Sequence, residues 1–308
     1  MSTERVFAWL RTLRLPFLTA TIIPVAVGTA VGWHESGRCD WLSFWLTLCG
    51  ISFLHIGTNL VNDYFDHLSS NDWVNPSPTP FSGGSRTIQE GFVAGHAVLR
   101  ASFFFFILGS LIGLYLNWRV PGNAVLLFGV IGVFCGYFYT ADPLRIGYRG
   151  FGELLVGLCF GPLVVMGSYV VQTGHLGFIP FLASVPVSIL IVLVLYINEF
   201  PDYEADKKTG KKTAVVCLGR ERAIKLYHGL LGALYLYMIA CVLFGLLPLT
   251  TAVTLLTAPL GIMAALISRR AYARTPELLP VNALTAALHF SFGALLTAGF
   301  ILDKILFT

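Results

Sequence analysis

Nine apolar runs, each close to the roughly 20 residues that carry a helix across a bilayer, set the fold of this 308-residue chain. They fall at about 16–33, 41–64, 94–117, 121–140, 151–172, 178–200, 221–246, 249–268 and 284–305. Hydrocarbon offers the backbone no water, so each run must satisfy its own N–H and C=O groups as a helix. The expected fold class is all-α, an integral membrane bundle of nine transmembrane helices. Only 12% of the residues are charged, half of what a soluble protein carries. Arg5, Arg11 and Arg14 precede the first run, which has no small-residue cleavage site and reads as a retained helix. The six cysteines lack a C-x-x-C pair and lie mostly inside apolar runs, where a thiol behaves as a small hydrophobe. His55 and His289 fall within spans; they read first as satisfied core residues and second as cavity lining.

Basic residues orient the chain, because Lys and Arg concentrate on the cytoplasmic side. Three of the 20, namely Arg38, Arg119 and Lys304, fall on the side opposite the N-terminus. All the others share its side. The N-terminus is therefore expected in the cytoplasm of a multi-pass protein of the cell (inner) membrane. The net charge of +4 is no nucleic-acid signal, since the basic residues are confined to loops.

Two acidic stretches then stand out at the cytoplasmic ends of the second and sixth runs. One is Asn62-Asp63-Tyr64-Phe65-Asp66, extended to Asp72. The other is Asn198-Glu199-Phe200-Pro201-Asp202-Tyr203-Glu204-Ala205-Asp206. Together they hold seven of the chain's 16 acidic residues. Carboxylates beside a membrane core are costly and mark an ion site, a relay or a pathway. Both stretches repeat Asn-x-x-x-Asp, at Asn62/Asp66 and Asn198/Asp202, and the second adds Asp206. Positions four apart share one helix face, so two such faces make an oxygen-lined pocket suited to Mg²⁺. The candidate metal ligands are Asp63, Asp66, Asp72, Asp202 and Asp206. Asp63 and Glu204 lie off the repeated face, and Glu199 has a structural hydrogen-bonding role as its plainer reading.

Polar loops with cations follow both motifs: Gly83-Gly84-Ser85-Arg86, then Lys207, Lys208, Lys211 and Lys212. A mixed-sign pocket favours a Mg²⁺-diphosphate over a bare ion, and cations stabilise a diphosphate leaving group. Each such Lys or Arg also has a simpler reading as an orientation signal. Tyr64, Tyr139, Tyr196 and Tyr203 offer π faces to a developing carbocation, although packing explains most tyrosines. A cation transporter is the competing class. Against it, the carboxylates cluster at one face and no charged chain continues across.

These motifs resemble those of the UbiA superfamily of membrane prenyltransferases over essentially the whole chain. Asn62-x-x-x-Asp66 with Asp72, and Asn198-x-x-x-Asp202-x-x-x-Asp206, look like its two aspartate-rich motifs. Finer likeness is to the branch acting on 1,4-dihydroxy-2-naphthoate in menaquinone biosynthesis. It rests on the segment Asn59 to Asp66, on Gly83-Gly84-Ser85-Arg86, on Tyr148-Arg149-Gly150-Phe151-Gly152-Glu153, and on Phe160-Gly161-Pro162 running on to Thr173. Arg14-Leu15-Pro16 departs from the more usual Arg-Pro, and the prolines at 76, 78 and 80 form an unusual insert. The echo of motif plus polar loop from 62 to 198 reads as one domain, 1–308, of two pseudo-related halves (about 1–150 and 151–308). The resemblance implies a bundle around a central cavity open to lipid. It implies transfer of a polyprenyl group from polyprenyl diphosphate to the aromatic acceptor, with Mg²⁺ and loss of CO₂, giving demethylmenaquinone. Another aromatic or lipid acceptor is the alternative within the family. The expected catalytic residues are Asp66, Asp202, Asp206, Arg86 and Tyr139. Expected substrate contacts are Asn59, Asn62, Asn198, Lys207, Lys211, Lys212, Arg145 and Arg149, the two last for the acceptor's carboxylate.

Overall fold

A computed structural model of the chain describes residues 3–75 and 78–307; Pro76 and Ser77 of the proline-rich insert lie outside them. Among the described residues the fold is all-helical, 81% helix without strands, and eight helices are long and apolar enough to cross a membrane. We number the spans α1 (Glu4–Ser36), α2 (Trp41–Leu68), α3 (Gly95–Arg119), α4 (Ala124–Phe138), α5 (Gly152–Thr173), α6 (Phe178–Thr209), α7 (Arg220–Leu243), α8 (Leu249–Ala271) and α9 (Thr275–Phe307). The fourth run of the sequence, not among these eight, is present as α4, only 15 residues long. The α3–α4 connection is the tight turn that the sequence predicts. Large apolar side chains such as Phe104, Ile107, Leu127, Leu236 and Leu266 are exposed on the outside. That surface suits a bundle whose solvent is hydrocarbon. The protein is a multi-pass membrane protein.

Lipid is as apolar as leucine, so close backbone packing holds such helices together. A Cβ at Gly28 of α1 would overlap the Val165 carbonyl of α5, and one at Gly109 of α3 would stand 2.8 Å from the Gly50 carbonyl of α2. A large core of α1, α5, α6, α7 and α9 side chains includes fully buried Tyr169, Tyr196, Phe292 and Phe300. α2 and α3 stand partly apart from it around a smaller core of Leu60 and Val98. A cavity lies between the two groups.

Two irregularities shape that cavity. α5 loosens into a π-helical turn at Cys159–Leu163 around Pro162, the usual consequence of an interior proline. α6 continues through Pro201, in the middle of the second acidic motif. Proline has no N–H, so the Ile197 carbonyl one turn earlier loses its helical donor. Asn282 of α9 replaces it: its Nδ2 donates to Ile197 O at 3.1 Å and to Asn198 Oδ1 at 2.7 Å.

Candidate active site

The two acidic motifs meet across one lysine. Lys211 Nζ lies 3.4 Å from Asp66 Oδ2 of α2 and 3.9 Å from Asp206 Oδ1 of α6. It also sits 5.2 Å above the Tyr148 ring. Burial opposes its charge, yet Asp66 and Asp206 raise its pKa well above the ordinary value. Each aspartate is held by neutral donors. Asp66 accepts from Tyr148 Oη at 2.5 Å and from Asn62 Nδ2 at 3.3 Å. Asp206 accepts from Asn71 Nδ2 at 2.9 Å. Asp202 accepts from Asn75 Nδ2 at 2.8 Å and from the Gly83 N–H at 3.1 Å.

Asp72 joins them from the short helix Asn71–Val74 just beyond α2. Burial first, then the carboxylates of Asp66 and Asp63, push its pKa up to about 8. The Gly83-Gly84 loop folds directly onto these groups. At Gly84, with φ +72°, any Cβ would overlap the Asp72 carboxylate. Both the backbone conformation and the space there require glycine.

Nine of the expected residues line a single cavity: Asn59, Asn62, Asp66, Asp72, Tyr139, Asn198, Asp202, Asp206 and Lys211. The others lie outside it. Asp63 is one position past Asn62, which turns it off the shared face. Its Oδ1 pairs with Arg14 and accepts the Ser85 N–H at 3.3 Å, while its buried Oδ2 has no hydrogen-bond partner among the described residues. Arg86 donates from Nη1 to the Asp72 backbone carbonyl, which ties it to the glycine loop. Arg145 pairs with Asp142 at 2.7 Å, and Arg149 donates to the Pro143 carbonyl at 3.0 Å. Lys207 lies exposed near the Tyr203 ring, and the exposed Lys212 contributes its backbone N–H to the Tyr148 carbonyl at 3.1 Å. Of the tyrosines proposed for carbocation shielding, Tyr139 alone lines the cavity. His55 lines it too, bonded to Thr21 Oγ1 at 2.9 Å, whereas His289 is buried elsewhere.

Three contributors are not among the expected site residues. Arg14 lines the cavity beside Asp63; its place just before the first span was the available signal. Tyr148 grips Asp66, although only its neighbour Arg149 had drawn a role. Asn282 orients Asn198, and its signal was indirect: a proline inside a motif leaves a carbonyl that some other helix must serve.

From this polar end the cavity runs deep between α2, α3, α4, α5 and α6, about 2060 Å³ with its mouth included. Its wall on α2 extends from Asp66 to Thr47. At 1.5 Å per residue that is about 28 Å, close to the whole hydrocarbon thickness. Ile51, Leu54, Ile112, Leu116, Phe128 and Leu163 line the deep part, which suits a long apolar chain with a charged head.

The donor set fits a divalent cation. Five carboxylates, Asp66, Asp72, Glu199, Asp202 and Asp206, line the cavity against Lys211, while Arg14 is committed to Asp63. Uncompensated buried charge of this kind is unstable without a counter-ion. Among the described residues no three such side chains form a ready chelating group. That agrees with the habit of Mg²⁺, which takes one or two carboxylates and completes its shell with water and phosphate.

The chain matches the UbiA prenyltransferase family over residues 21–284, and it belongs to that family. It is 28% identical over 295 residues to the 1,4-dihydroxy-2-naphthoate octaprenyltransferase of Bacillus subtilis (strain 168), covering 93% of this chain and 89% of that one. It is 27% identical over 292 residues to the 2-carboxy-1,4-naphthoquinone phytyltransferase of Synechocystis sp., covering 95% and 92%. A UbiA homolog from Archaeoglobus fulgidus, solved bound to GPP and Mg²⁺, superposes with a TM-score of 0.65 at 18% identity, covering 94% of this chain and 99% of that chain. The protein is a UbiA-type prenyltransferase.

Proposed function

We propose that this protein transfers a polyprenyl group from polyprenyl diphosphate to 1,4-dihydroxy-2-naphthoate with release of CO₂, giving demethylmenaquinol, the reduced form of demethylmenaquinone. The observation that carries the transferase chemistry is the meeting of two Asn-x-x-x-Asp faces across Lys211, at the head of an apolar cavity about as long as a bilayer is thick. The relatives from Bacillus subtilis and Synechocystis support the acceptor. Asp66, Asp72, Asp202 and Asp206 would hold a Mg²⁺ ion, which would supply positive charge to neutralise the leaving diphosphate. Lys211 leaves its carboxylate partners to contact the diphosphate oxygens, and Arg14 sits within reach of the same head group. Asn62 and Asn198 fix the aspartates and the diphosphate, and Tyr139 turns its ring toward the ionising carbon. The wall from Leu54 to Leu116 keeps water from the allylic cation, which would otherwise be quenched to an alcohol.

The chain works as one membrane domain whose two halves each bring one motif. Its N-terminus and the polar end of the cavity face the cytoplasm of the cell membrane, where water-soluble acceptor and diphosphate meet a lipid-dissolved tail. The test is purified protein with Mg²⁺, a polyprenyl diphosphate and a panel of aromatic acids, followed by mass spectrometry. Prenylated naphthoquinol with one CO₂ per transfer is expected. Product from 4-hydroxybenzoate with its carboxylate retained, and none from the naphthoate, would reject this acceptor.

A further inference from the structure

A second acidic group lies beside the diphosphate site. Glu199 is 6% exposed and Glu153, at the start of α5, is 7% exposed. Glu199 lines the cavity and its Oε2 is buried with no hydrogen-bond partner counted. The Glu153 carboxyl lies close to that of Glu199. Glu153 is itself fixed, because its Oε1 accepts the Ala214 N–H at 2.6 Å. Two ionised carboxylates are both acceptors and cannot bond to one another. A proton held between them would remove that conflict. The groups facing it are Tyr139, Tyr196, Asp206 and Lys211. The Tyr196 hydroxyl is also buried without a partner. No role in holding the helices together explains an unfilled acceptor on a residue that lines a cavity, since an unmet buried carboxylate oxygen is costly.

We propose that the Glu153–Glu199 pair is the docking point and proton acceptor for a ring hydroxyl of the aromatic acceptor. This rests on the acceptor reading given above and names the residues that act on it. Glu199 accepts the hydroxyl's hydrogen bond through its free oxygen, which sets the ring beside Tyr139 and the ionising carbon. The bond from that carbon to the diphosphate oxygen breaks, and its electron pair leaves with the diphosphate. A ring-carbon electron pair forms the new C–C bond while the hydroxyl proton passes to Glu199 and the hydroxyl oxygen becomes a ketone. The bond to the carboxylate then breaks, its pair restores the aromatic ring, and CO₂ departs. The ketone oxygen takes the proton back from Glu199. The pair thus acts as base and then as acid with no net gain or loss of protons.

Kinetics of Glu199→Gln test the pair with polyprenyl diphosphate, Mg²⁺ and 1,4-dihydroxy-2-naphthoate. A positioned base contributes about 10²–10⁴-fold, so kcat should fall at least about a hundredfold. Mg²⁺-dependent affinity for polyprenyl diphosphate should stay at the wild-type value, which also shows that the variant is folded. Glu199→Asp keeps a carboxylate and should retain more turnover than Glu199→Gln. The rate of Glu199→Gln should climb with pH up to the hydroxyl's own pKa, while the wild-type profile stays flatter. Wild-type turnover in Glu199→Gln, an equal loss in prenyl diphosphate binding, or identical pH profiles would overturn the proposal. If the wild-type protein prenylates a different hydroxyaromatic acid, the same variants measured on that acid test the pair, and the naphthoate reading alone falls.

Discussion

At Asp66, Asp202 and Asp206 the charge matters more than the shape. Asp→Asn preserves volume and removes the negative ligand, and a metal supplies several kcal/mol to a departing phosphate. Each substitution should lower kcat/KM at least about a hundredfold, read in steady-state assays. Arg86 should behave differently. Because it serves the Asp72 carbonyl, Arg86→Lys should lower thermal stability while leaving the KM for polyprenyl diphosphate unchanged. A rise in that KM would return Arg86 to the substrate. A pair of glycine substitutions isolates the loop contact. Gly84 and Gly91 have nearly the same positive φ, +72° and +75°, but Gly91 has nothing within 4 Å and Gly84 abuts Asp72. Backbone strain costs both alanine variants on the order of 1 kcal/mol, yet only Gly84→Ala should lose most of its turnover. At this scale the sequence showed the repeated Asn-x-x-x-Asp face, because four-residue spacing is a local property of a helix. It did not show that Asp63 and Arg14 cancel each other, because their pairing depends on how two chain segments 49 residues apart are packed.

Among the elements, α6 depends on a neighbour. Pro201 leaves the Ile197 carbonyl without its helical donor, and Asn282 fills the gap while orienting Asn198. Asn282→Leu should destabilise the protein by about 1–3 kcal/mol, the usual cost of an unmet buried acceptor. Adding Pro201→Ala, which restores the missing N–H, should recover part of that loss in thermal unfolding. Simple additivity of the two changes would mean the groups are not coupled. The helices themselves were legible from apolar length alone, since a bilayer fixes how long a span must be. The weakest was α4, whose 15 helical residues are fewer than the run suggests. Its apolar stretch runs on through Tyr139 into the polar segment that carries Tyr148, and hydropathy does not register where the helix stops.

For the whole molecule, the cation count predicts that both motifs open to the same side of the membrane. In a protein stripped of native cysteines, a cysteine at Ser70 or Gly210 should label from the cytoplasmic face of oriented vesicles, and one at Gly37 or Gly174 from the other. Labelling of positions 70 and 210 from opposite faces would separate the motifs and end the mechanism. The cavity's depth was not legible beforehand, because its walls are dispersed apolar residues on five helices with no pattern of their own. The central claim is that α2 and α6 hold one Mg²⁺-diphosphate between them. Turnover of Asp66→Asn, Asp202→Asn and the double variant tests it most directly. Residues acting as one unit are strongly non-additive, so the double variant should be scarcely slower than either single one. Losses that multiply, with each single variant keeping substantial Mg²⁺-dependent activity, would mean two independent sites and would contradict the shared one.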